Sequence, residues 1–360
     1  MSNTEITLNL VVFNGEKYIR HCLESIKNQT HPHNKVQVNI LDNDSDDKTI
    51  EIIEDWKLEV EKYGFESFNF IKNQQNFGMW PGHEELLKNS SGKYVVVLSV
   101  DVILHEDFLS EAISVFEKDD KIGAIQPKVY KYDLSGSEPN AYTLSNIIDT
   151  CGFKVFKSRR IINIGHGEDD VGPSFAKVSA GKQFDFNKEQ EIFAVEGAVP
   201  VFKKTALENC KIMNEIVDHD LFWYAEDLDV AWRLKMFGWK QVFAPKVIAW
   251  HDRQTTKKLK KNLVDFITIR KQIPLRKRRL EWRNVRFTII KNDYTINILK
   301  DLFYILKRES VMFVYLLVFE PAVFLEIPNF LRLLPKMLRK RKEIMKNAVT
   351  TPKEIRKWFI

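Results

Sequence analysis

Several common classes are excluded by what the chain lacks. Its three cysteines, Cys22, Cys151 and Cys210, stand far apart in 360 residues. They cannot build a disulfide framework or a four-ligand zinc site, so a reducing cytosol is the expected compartment. Cys22 falls on a helical apolar stripe and reads as packing. With 14 Gly and 12 Pro the composition is that of an ordinary globular chain. No Gly-x-Gly-x-x-Gly follows the first apolar run, which removes the main support for a dinucleotide-dependent dehydrogenase, and no Gly-Lys-Ser/Thr phosphate loop is present. The opening Met-Ser-Asn-Thr-Glu leads into a strand-like run with no basic and apolar leader, so export by a conventional signal is not expected. The dense apolar run at residues 311–319 is cut by Glu320 and Pro321, short of the ~20 residues a spanning helix needs.

What the chain does have is an uneven distribution of charge. The formal net charge of +6 conceals an acidic body, residues 1–252, with 40 Asp and Glu against 28 Lys and Arg. The remaining residues, 253–360, carry 27 Lys and Arg against 9 Asp and Glu. This division marks the two expected domains, an acidic body and a basic helical tail. The tail seeks an anionic surface, phospholipid ahead of nucleic acid, and no nucleic-acid partner is expected. Leu299, Leu302, Phe303 and Leu306 form one amphipathic stripe, and Leu331, Leu334 and Leu338 run into Arg339, Lys340, Arg341 and Lys342. An apolar face beside a Lys/Arg cluster describes helices lying in a membrane interface. A small helical domain packed on the body, with a solvated basic face, fits the same pattern, and both readings stand.

In the body, short apolar runs alternate with helical stripes. Residues 6–13, 36–41, 68–71 and 94–98 read as strands, and residues 122–125 begin another. Ile19, Cys22, Leu23 and Ile26 mark one helix; Thr49, Ile53, Trp56 and Val60 a second; Leu109, Ala112, Ile113 and Phe116 a third. A further helix runs to Lys88 after a loop at residues 73–82. Strand and helix in alternation predict an α/β fold with a doubly wound, mostly parallel sheet flanked by helices. Residues 134–188 break the alternation and, being long and irregular, are expected to be functional or mobile. Apolar structure resumes at residues 192–195 and 199–202. A helix then opens at Glu226 and Asp227, in which Asp229 can pair with Arg233, and Gly238 ends it. A last strand covers residues 247–250.

Polar groups fall at the ends of these elements. The central run, residues 94–98, exits at Ser99, Val100 and Asp101, and ligands of open α/β sheets bind outside the carboxyl ends of the strands. One carboxylate there can hold a hard divalent cation against a nucleotide diphosphate; a solvated Asp capping the next helix is the plainer alternative. Asp42, followed by Asn43-Asp44-Ser45-Asp46-Asp47, ends the second strand, and His251 leaves the last.

Val11-Val12-Phe13-Asn14-Gly15-Glu16 with Cys22-Leu23-Glu24-Ser25-Ile26, then Leu41-Asp42-Asn43-Asp44-Ser45, Asn76-Phe77-Gly78, Leu98-Ser99-Val100-Asp101, and Glu226-Asp227-Leu228-Asp229-Val230-Ala231-Trp232-Arg233 with Gly238-Trp239-Lys240 occur in this order. Together they resemble the family 2 glycosyltransferases of the GT-A fold, and within them the bacterial rhamnosyltransferase-like enzymes of cell-surface polysaccharide synthesis. The resemblance covers residues 6–252 and, more loosely, the tail. It implies a nucleotide-sugar donor bound by Phe13, Asn14, Glu16, Asp42, Asn76, Gly78, Ser99 and Asp101, with Asp42 accepting from the imide of uracil or thymine. It implies Mg²⁺ or Mn²⁺ on Asp101, completed by His251. Asp227 takes the role of general base, which an inverting transfer needs opposite the departing diphosphate; Glu226 is the second candidate and contacts the acceptor. A carboxylate steadying the first helical turn is the alternative for Asp227.

Two departures stand out: Ser99 where Asp or Asn is usual, and Gly82-His83-Glu84 for the usual Gly-Asn-Asn. The expectation is inverting transfer of rhamnose from dTDP-rhamnose, or of a sugar from a UDP-sugar, to a lipid-linked or polysaccharide acceptor. The enzyme would be cytoplasmic and peripheral at the inner face of the cell membrane. Ser99 keeps open a non-catalytic nucleotide-sugar-binding or glycan-binding protein of the same fold. A nucleotidyltransferase would need a basic cluster near the first loop, where residues 13–18 supply only Lys17.

Overall fold

Apolar runs long enough to be buried on both faces build the first half of the sheet. β1 (Ile6–Val12), β2 (Val36–Asp42), β3 (Ser67–Lys72) and β4 (Tyr94–Ser99) pair in parallel in the order β3-β2-β1-β4, and every residue of β1 and β2 is buried. The structure is a computed structural model and describes residues 3–134, 143–170, 175–176, 184–253 and 263–360. α1 (Ile19–Lys27), α2 (Thr49–Val60) and α3 (Met79–Lys88) connect these strands, α1 burying Ile19, Cys22, Leu23 and Ile26 as the spacing predicts. α3 begins inside the stretch read as a loop, because Pro81 is tolerated in the first turn of a helix.

A polar ladder crosses this half. Asn9, Asn39 and Asn69 share one register on β1, β2 and β3. Asn39 Nδ2 donates to Asn9 Oδ1 (2.9 Å), Asn69 Nδ2 to Asn39 Oδ1 (2.8 Å), and Asn9 Nδ2 to Ser90 Oγ (3.0 Å). Buried amides are kept only where such partners exist.

The second half mixes strand directions. β5 (Val102–Leu104) and α4 (Phe108–Phe116) lead into β6 (Ile122–Asp133). β7 (Thr143–Thr150) pairs antiparallel with β6, and two small hairpins follow, β8 (Phe153–Val155) with β9 (Ile161–Asn163) and β10 (Phe175–Ala176) with β11 (Phe184–Asp185). The region read as irregular is therefore partly sheet. Residues 135–142, 171–174 and 177–183 of it, and residues 254–262 of the tail, lie outside the described residues. β12 (Gln190–Ile192) pairs with β14 (Lys240–His251), which runs parallel to β6, while β13 (Val201–Lys203) lies antiparallel between β4 and β6. The last strand is longer than residues 247–250; its register shifts between Ala244 and Ile248, where Pro245 cannot donate to the ladder. α5 (Lys204–Asn209) and α6 (Glu226–Met236) complete the body.

The tail comprises α7 (Leu263–Gln272), α8 (Leu275–Asn292), α9 (Thr295–Lys300), α10 (Leu302–Phe319), α11 (Ile327–Asn347) and α12 (Pro352–Arg356). It is docked through charge. Lys291 Nζ meets Asp229 Oδ1 (2.9 Å) and also Asp218, and Lys340 Nζ meets Glu215 Oε2 (2.8 Å), Asp218 Oδ1 (2.6 Å) and Asp220 Oδ2 (3.0 Å). Arg159 Nε meets Asp293 Oδ2 at 2.7 Å and its Nη1 meets Asp301 Oδ2 at 2.9 Å. This corrects the reading of residues 339–342 as one outward basic cluster: Lys340 is buried, Arg341 donates to the carbonyls of Ile290 and Asp293, and Arg339 and Lys342 face out. The stripe of Leu299, Leu302, Phe303 and Leu306 is exposed and continues along α10 with Val311, Phe313, Val314, Leu317 and Val318. Among the described residues no single helix is long and apolar enough to cross a membrane; α10 and the segment Pro321–Asn347 pass that test only together, bent by 109°.

Candidate active site

The loops leaving β1, β2 and β3 are tied to one another. Asn14, at φ +49°, donates its backbone N–H to Ser45 Oγ (2.9 Å) and accepts from Asp46 N on Oδ1 (3.0 Å). The backbone N–H of Glu16 goes to Asp47 Oδ2 (3.0 Å). Asn43 Nδ2 donates to Gly78 O (3.0 Å), and Asn76 Oδ1 accepts from Gly78 N (2.8 Å). Gly78 sits at φ +96°, and a Cβ on it would stand 3.1 Å from Phe222 O, so a side chain there is both strained and crowded. Phe13 and Phe77 leave about half their rings exposed beside this clasp, at 47% and 48%. Asp42 is enclosed: Oδ2 accepts from Asp44 N (3.1 Å) and Ser45 N (3.0 Å), and Oδ1 from Ser45 Oγ (2.6 Å). The carboxylate organises its own turn, and its acceptor capacity leaves room for one more donor on Oδ1.

Register places Asp42 and Ser99 on either side of the end of β1, Asp42 opposite Val12 and Ser99 opposite Val11. Ser99 Oγ donates to Asp101 Oδ1 (2.6 Å), so the departure from the family pattern positions the carboxylate. Asp101 Oδ2 faces His251 Nε2 at 3.4 Å, and His251 Nδ1 donates to Asp149 Oδ2 (2.9 Å). A carboxylate on the far ring nitrogen is what fixes a metal-ligating imidazole. Neighbouring ligand atoms on an octahedral cation with ~2.1 Å bonds stand about 3 Å apart. The Asp101–His251 gap is close to that, so the pair fits a divalent cation. The two also titrate against each other. Burial disfavours the charged imidazole, yet the Asp101 carboxylate holds His251 protonated up to about 10. Burial likewise opposes ionisation of Asp101, and the His251 charge keeps it below the usual carboxylate range. A cation would take the place of that proton.

A short loop joins this pair to Asp227. Ser99 N–H donates to Ala198 O (3.1 Å) and Gly197 N–H to Asp227 Oδ2 (3.0 Å). Glu196 Oε2 accepts from Ala198 N (3.0 Å), and its Oε1 meets Arg253 Nη2 (2.7 Å), whose Nε holds Asp149 at 2.8 Å. Asp227 heads α6, with Leu228 N–H on its Oδ1 (2.7 Å). Burial first, then the charge of Glu196, raises Asp227 to about 7, and burial raises Glu226 to about 8. A carboxylate poised near neutrality is suited to taking a proton from a hydroxyl. A Cβ on Gly197 would lie 3.0 Å from both Cβ and Oδ2 of Asp227. Gly197→Ala should therefore displace the carboxylate and lower turnover about 10²-fold, the cost of a misplacement of about 1 Å, with the melting temperature unchanged; initial rates and a melt check this.

The turn before Asp227 is strained and held from the tail. Phe222, Tyr224 and Ala225 adopt φ of +61°, +84° and +72°, and Asn284 Nδ2 on α8 reaches the carbonyls of Leu221 (2.8 Å), Trp223 (2.9 Å) and Tyr224 (2.9 Å). Such backbone persists only where its surroundings over-determine it. Sequence reasoning missed Asp149, Glu196, Arg253 and Asn284 in these roles. Glu84, in the departed Gly82-His83-Glu84, accepts from Ile216 N (3.1 Å) and Val217 N (3.2 Å) and so braces a wall. Among the described residues the carboxylates of Glu215, Asp218 and Asp220 also converge, within 4.8 Å, but the ammonium groups of Lys291, Lys336 and Lys340 already occupy them.

Parallel strands whose carboxyl ends carry this constellation define a domain of the GT-A kind. Residues 8–176 match the family described as Glycosyl transferase family 2. It is 28% identical over 113 residues to a Methanococcus voltae protein named dolichyl N-acetyl-alpha-D-glucosaminyl phosphate 3-beta-D-2,3-diacetamido-2,3-dideoxy-beta-D-glucuronosyltransferase, covering 31% of this chain and 34% of that one. It is 23% identical over 245 residues to the poly-beta-1,6-N-acetyl-D-glucosamine synthase of Staphylococcus epidermidis, covering 68% of this chain and 49% of that one. The chain thus spans between about a third and a half of these relatives' lengths. Among solved structures, S. aureus TarS 1-349 in complex with UDP aligns with a TM-score of 0.53 at 15% identity, over 98% of this chain and 92% of that one. The mannosyltransferase PcManGT from Pyrobaculum calidifontis, in complex with GDP-Man and Mn²⁺, aligns with a TM-score of 0.51 at 16% identity, over 98% and 82%. These likenesses establish the fold.

Proposed function

We propose that the protein is an inverting, cation-assisted glycosyltransferase that moves a sugar from a nucleoside diphosphate donor to a lipid-linked or polysaccharide acceptor in cell-surface glycan synthesis. The observation that carries this is the continuous path of contacts from Asp101 through His251, Asp149, Arg253 and Glu196 to the loop that holds Asp227. It joins a cation-holding pair to a base poised near neutrality. The Asn14–Ser45 and Asn43–Gly78 clasp shapes the donor's nucleoside end around Asp42, with Phe13, Glu16 and Asn76 beside it. Asp101 and His251 hold Mg²⁺ or Mn²⁺, which would neutralise the departing diphosphate. Asp227 takes the acceptor proton, and Glu226, protonated at neutral pH, donates to the acceptor. UDP- and dTDP-linked sugars, rhamnose included, are the donors favoured; the UDP and Mn²⁺ named for the neighbouring structures agree with this class.

A donor panel with the purified chain, scored for released nucleoside diphosphate with Mn²⁺, Mg²⁺ or chelator, tests the reading. One UDP- or dTDP-sugar should turn over, chelator should abolish it, and Asp149→Ala should raise the metal concentration required by about 10–100-fold. Binding of a donor without turnover of any would select the non-catalytic alternative.

The exposed apolar face of α10, together with Lys307, Arg332, Arg339 and Lys342, supports a further part of the proposal, that the protein sits at the anionic inner face of the membrane. Phe303→Ser with Phe313→Ser should weaken sedimentation with anionic vesicles by tenfold or more, since each buried aromatic ring contributes about 1.5–3 kcal/mol. Unchanged sedimentation would remove this face from the interface.

A further inference from the structure

Lys277 on α8 is buried to 6% exposure, yet among the described residues no carboxylate stands within ion-pair distance of its ammonium and no acceptor within hydrogen-bond distance. Its charge lies instead over the faces of Trp223 at 4.8 Å and Tyr224 at 5.6 Å. The nearest helix-mate carboxylate, Glu281, is engaged by Arg270 Nη1 (3.1 Å) and the Tyr224 hydroxyl (3.3 Å). Aromatic faces offset only part of the cost of burying an ammonium. The other buried lysines of this seam, Lys291 and Lys340, each have carboxylate partners. Burial pulls the Lys277 pKa down to about 8, which leaves it charged at neutral pH. It is a cation placed for an anion that the chain does not supply.

Its place says which anion. Trp223, 41% exposed, and Tyr224 belong to the strained turn that ends in Glu226 and Asp227, and Glu226 and Arg253 act on the Lys277 charge. This is the side of the site that carries the candidate base, and α8 leads through α9 to the exposed apolar face of α10. We propose that Lys277, backed by Trp223 and Tyr224, is a phosphate-binding subsite for the acceptor, taking the phosphate of a lipid-linked acceptor while its hydroxyl meets Asp227. This rests on the glycosyltransferase reading above. The donor diphosphate offers the same oxygens, so the test separates the two sources.

Dissociation constants of geranyl phosphate, geraniol, UDP and dTDP are measured by calorimetry on the full chain, wild type, Lys277→Met and Lys277→Arg. The wild type should prefer geranyl phosphate over geraniol by tenfold or more. Lys277→Met should lose that preference, keep UDP affinity within twofold, and melt no lower than the wild type, because the ammonium it removes has no ion-pair or hydrogen-bond partner among the described residues; Lys277→Arg should retain the preference. A tenfold loss confined to UDP would assign the subsite to the donor and overturn the acceptor assignment. A preference that survives in Lys277→Met, or a lowered melting temperature with unchanged affinities, would overturn the subsite altogether. Failure of the wild type to bind either UDP or dTDP would instead count against the glycosyltransferase reading, leaving the phosphate preference to be judged by its own arm.

Discussion

Asp227→Asn should lower the transfer rate by about 10²–10⁴-fold, the contribution usual for a positioned general base, while donor affinity stays within twofold. The amide fits the same space, but Gly197 N–H and Leu228 N–H bond different carboxylate oxygens and its single oxygen can accept from only one of them, so a melt and the donor affinity, measured beside the rate, separate proton removal from a displaced loop. The same residue sets a pH dependence. Burial and the Glu196 charge raise its pKa to about 7, and only the ionised form accepts a proton. The rate should therefore climb with pH below about 7, close to tenfold per unit, and hold until Glu226, raised to about 8, loses its proton. A rate–pH profile of wild-type protein would show this limb, and an asparagine variant that transfers sugar at the wild-type rate would remove Asp227 from the role.

Lys340→Met should destabilise the fold by about 3–5 kcal/mol, the cost of removing one partner from a buried ion pair. Asp218 is nearly enclosed, at 3% side-chain exposure, and its carboxylate is shared between Lys340 and Lys291. With the ammonium gone, Glu215, Asp218 and Asp220 are left close together with less compensation. Lys342→Met, on the exposed side of α11, should change little. Thermal or urea melts of the two variants make the comparison; equal midpoints would show that the pairing contributes nothing. Deleting residues 253–360 would remove Lys291, Lys340 and Asn284 at once, exceeding what a domain with about 5–15 kcal/mol of stability can lose. Point substitutions on α10 are therefore the sound way to probe its exposed apolar face.

The elements legible in the sequence are those whose pattern is local. β4 announces itself as an unbroken apolar run, β1 and β2 as mostly apolar ones, and α1 as a stripe of Ile19, Cys22, Leu23 and Ile26, because burial on a sheet face imposes that spacing. The full lengths of β6 and β14 were hidden by Pro127 and Pro245, and β7 by its mostly exposed residues. The site divides in the same way. Asp42, Asp101 and Asp227 stand at element ends and were visible as such. Asp149, Glu196 and Arg253 meet only because β7 and β14 both pair with β6, and no spacing along the chain records that convergence. Lys340 and Arg341 read as surface charge for a related reason: a basic run shows no sign of which members find buried acidic partners.

The asparagine ladder beneath the donor loops carries a consequence for how such chains can diverge. Asn9 and Asn39 are fully buried and bonded to each other, so replacing either leaves the other short of a partner where water does not reach, whereas Asn69 at the ladder's end is only partly buried. The two inner positions are bound to change together. A slip of β2 by one residue would break both links and turn Asp42 to the opposite face of the sheet. The ladder thereby works as an alignment key, keeping the strand ends level so that loops from three separate crossovers arrive at one place.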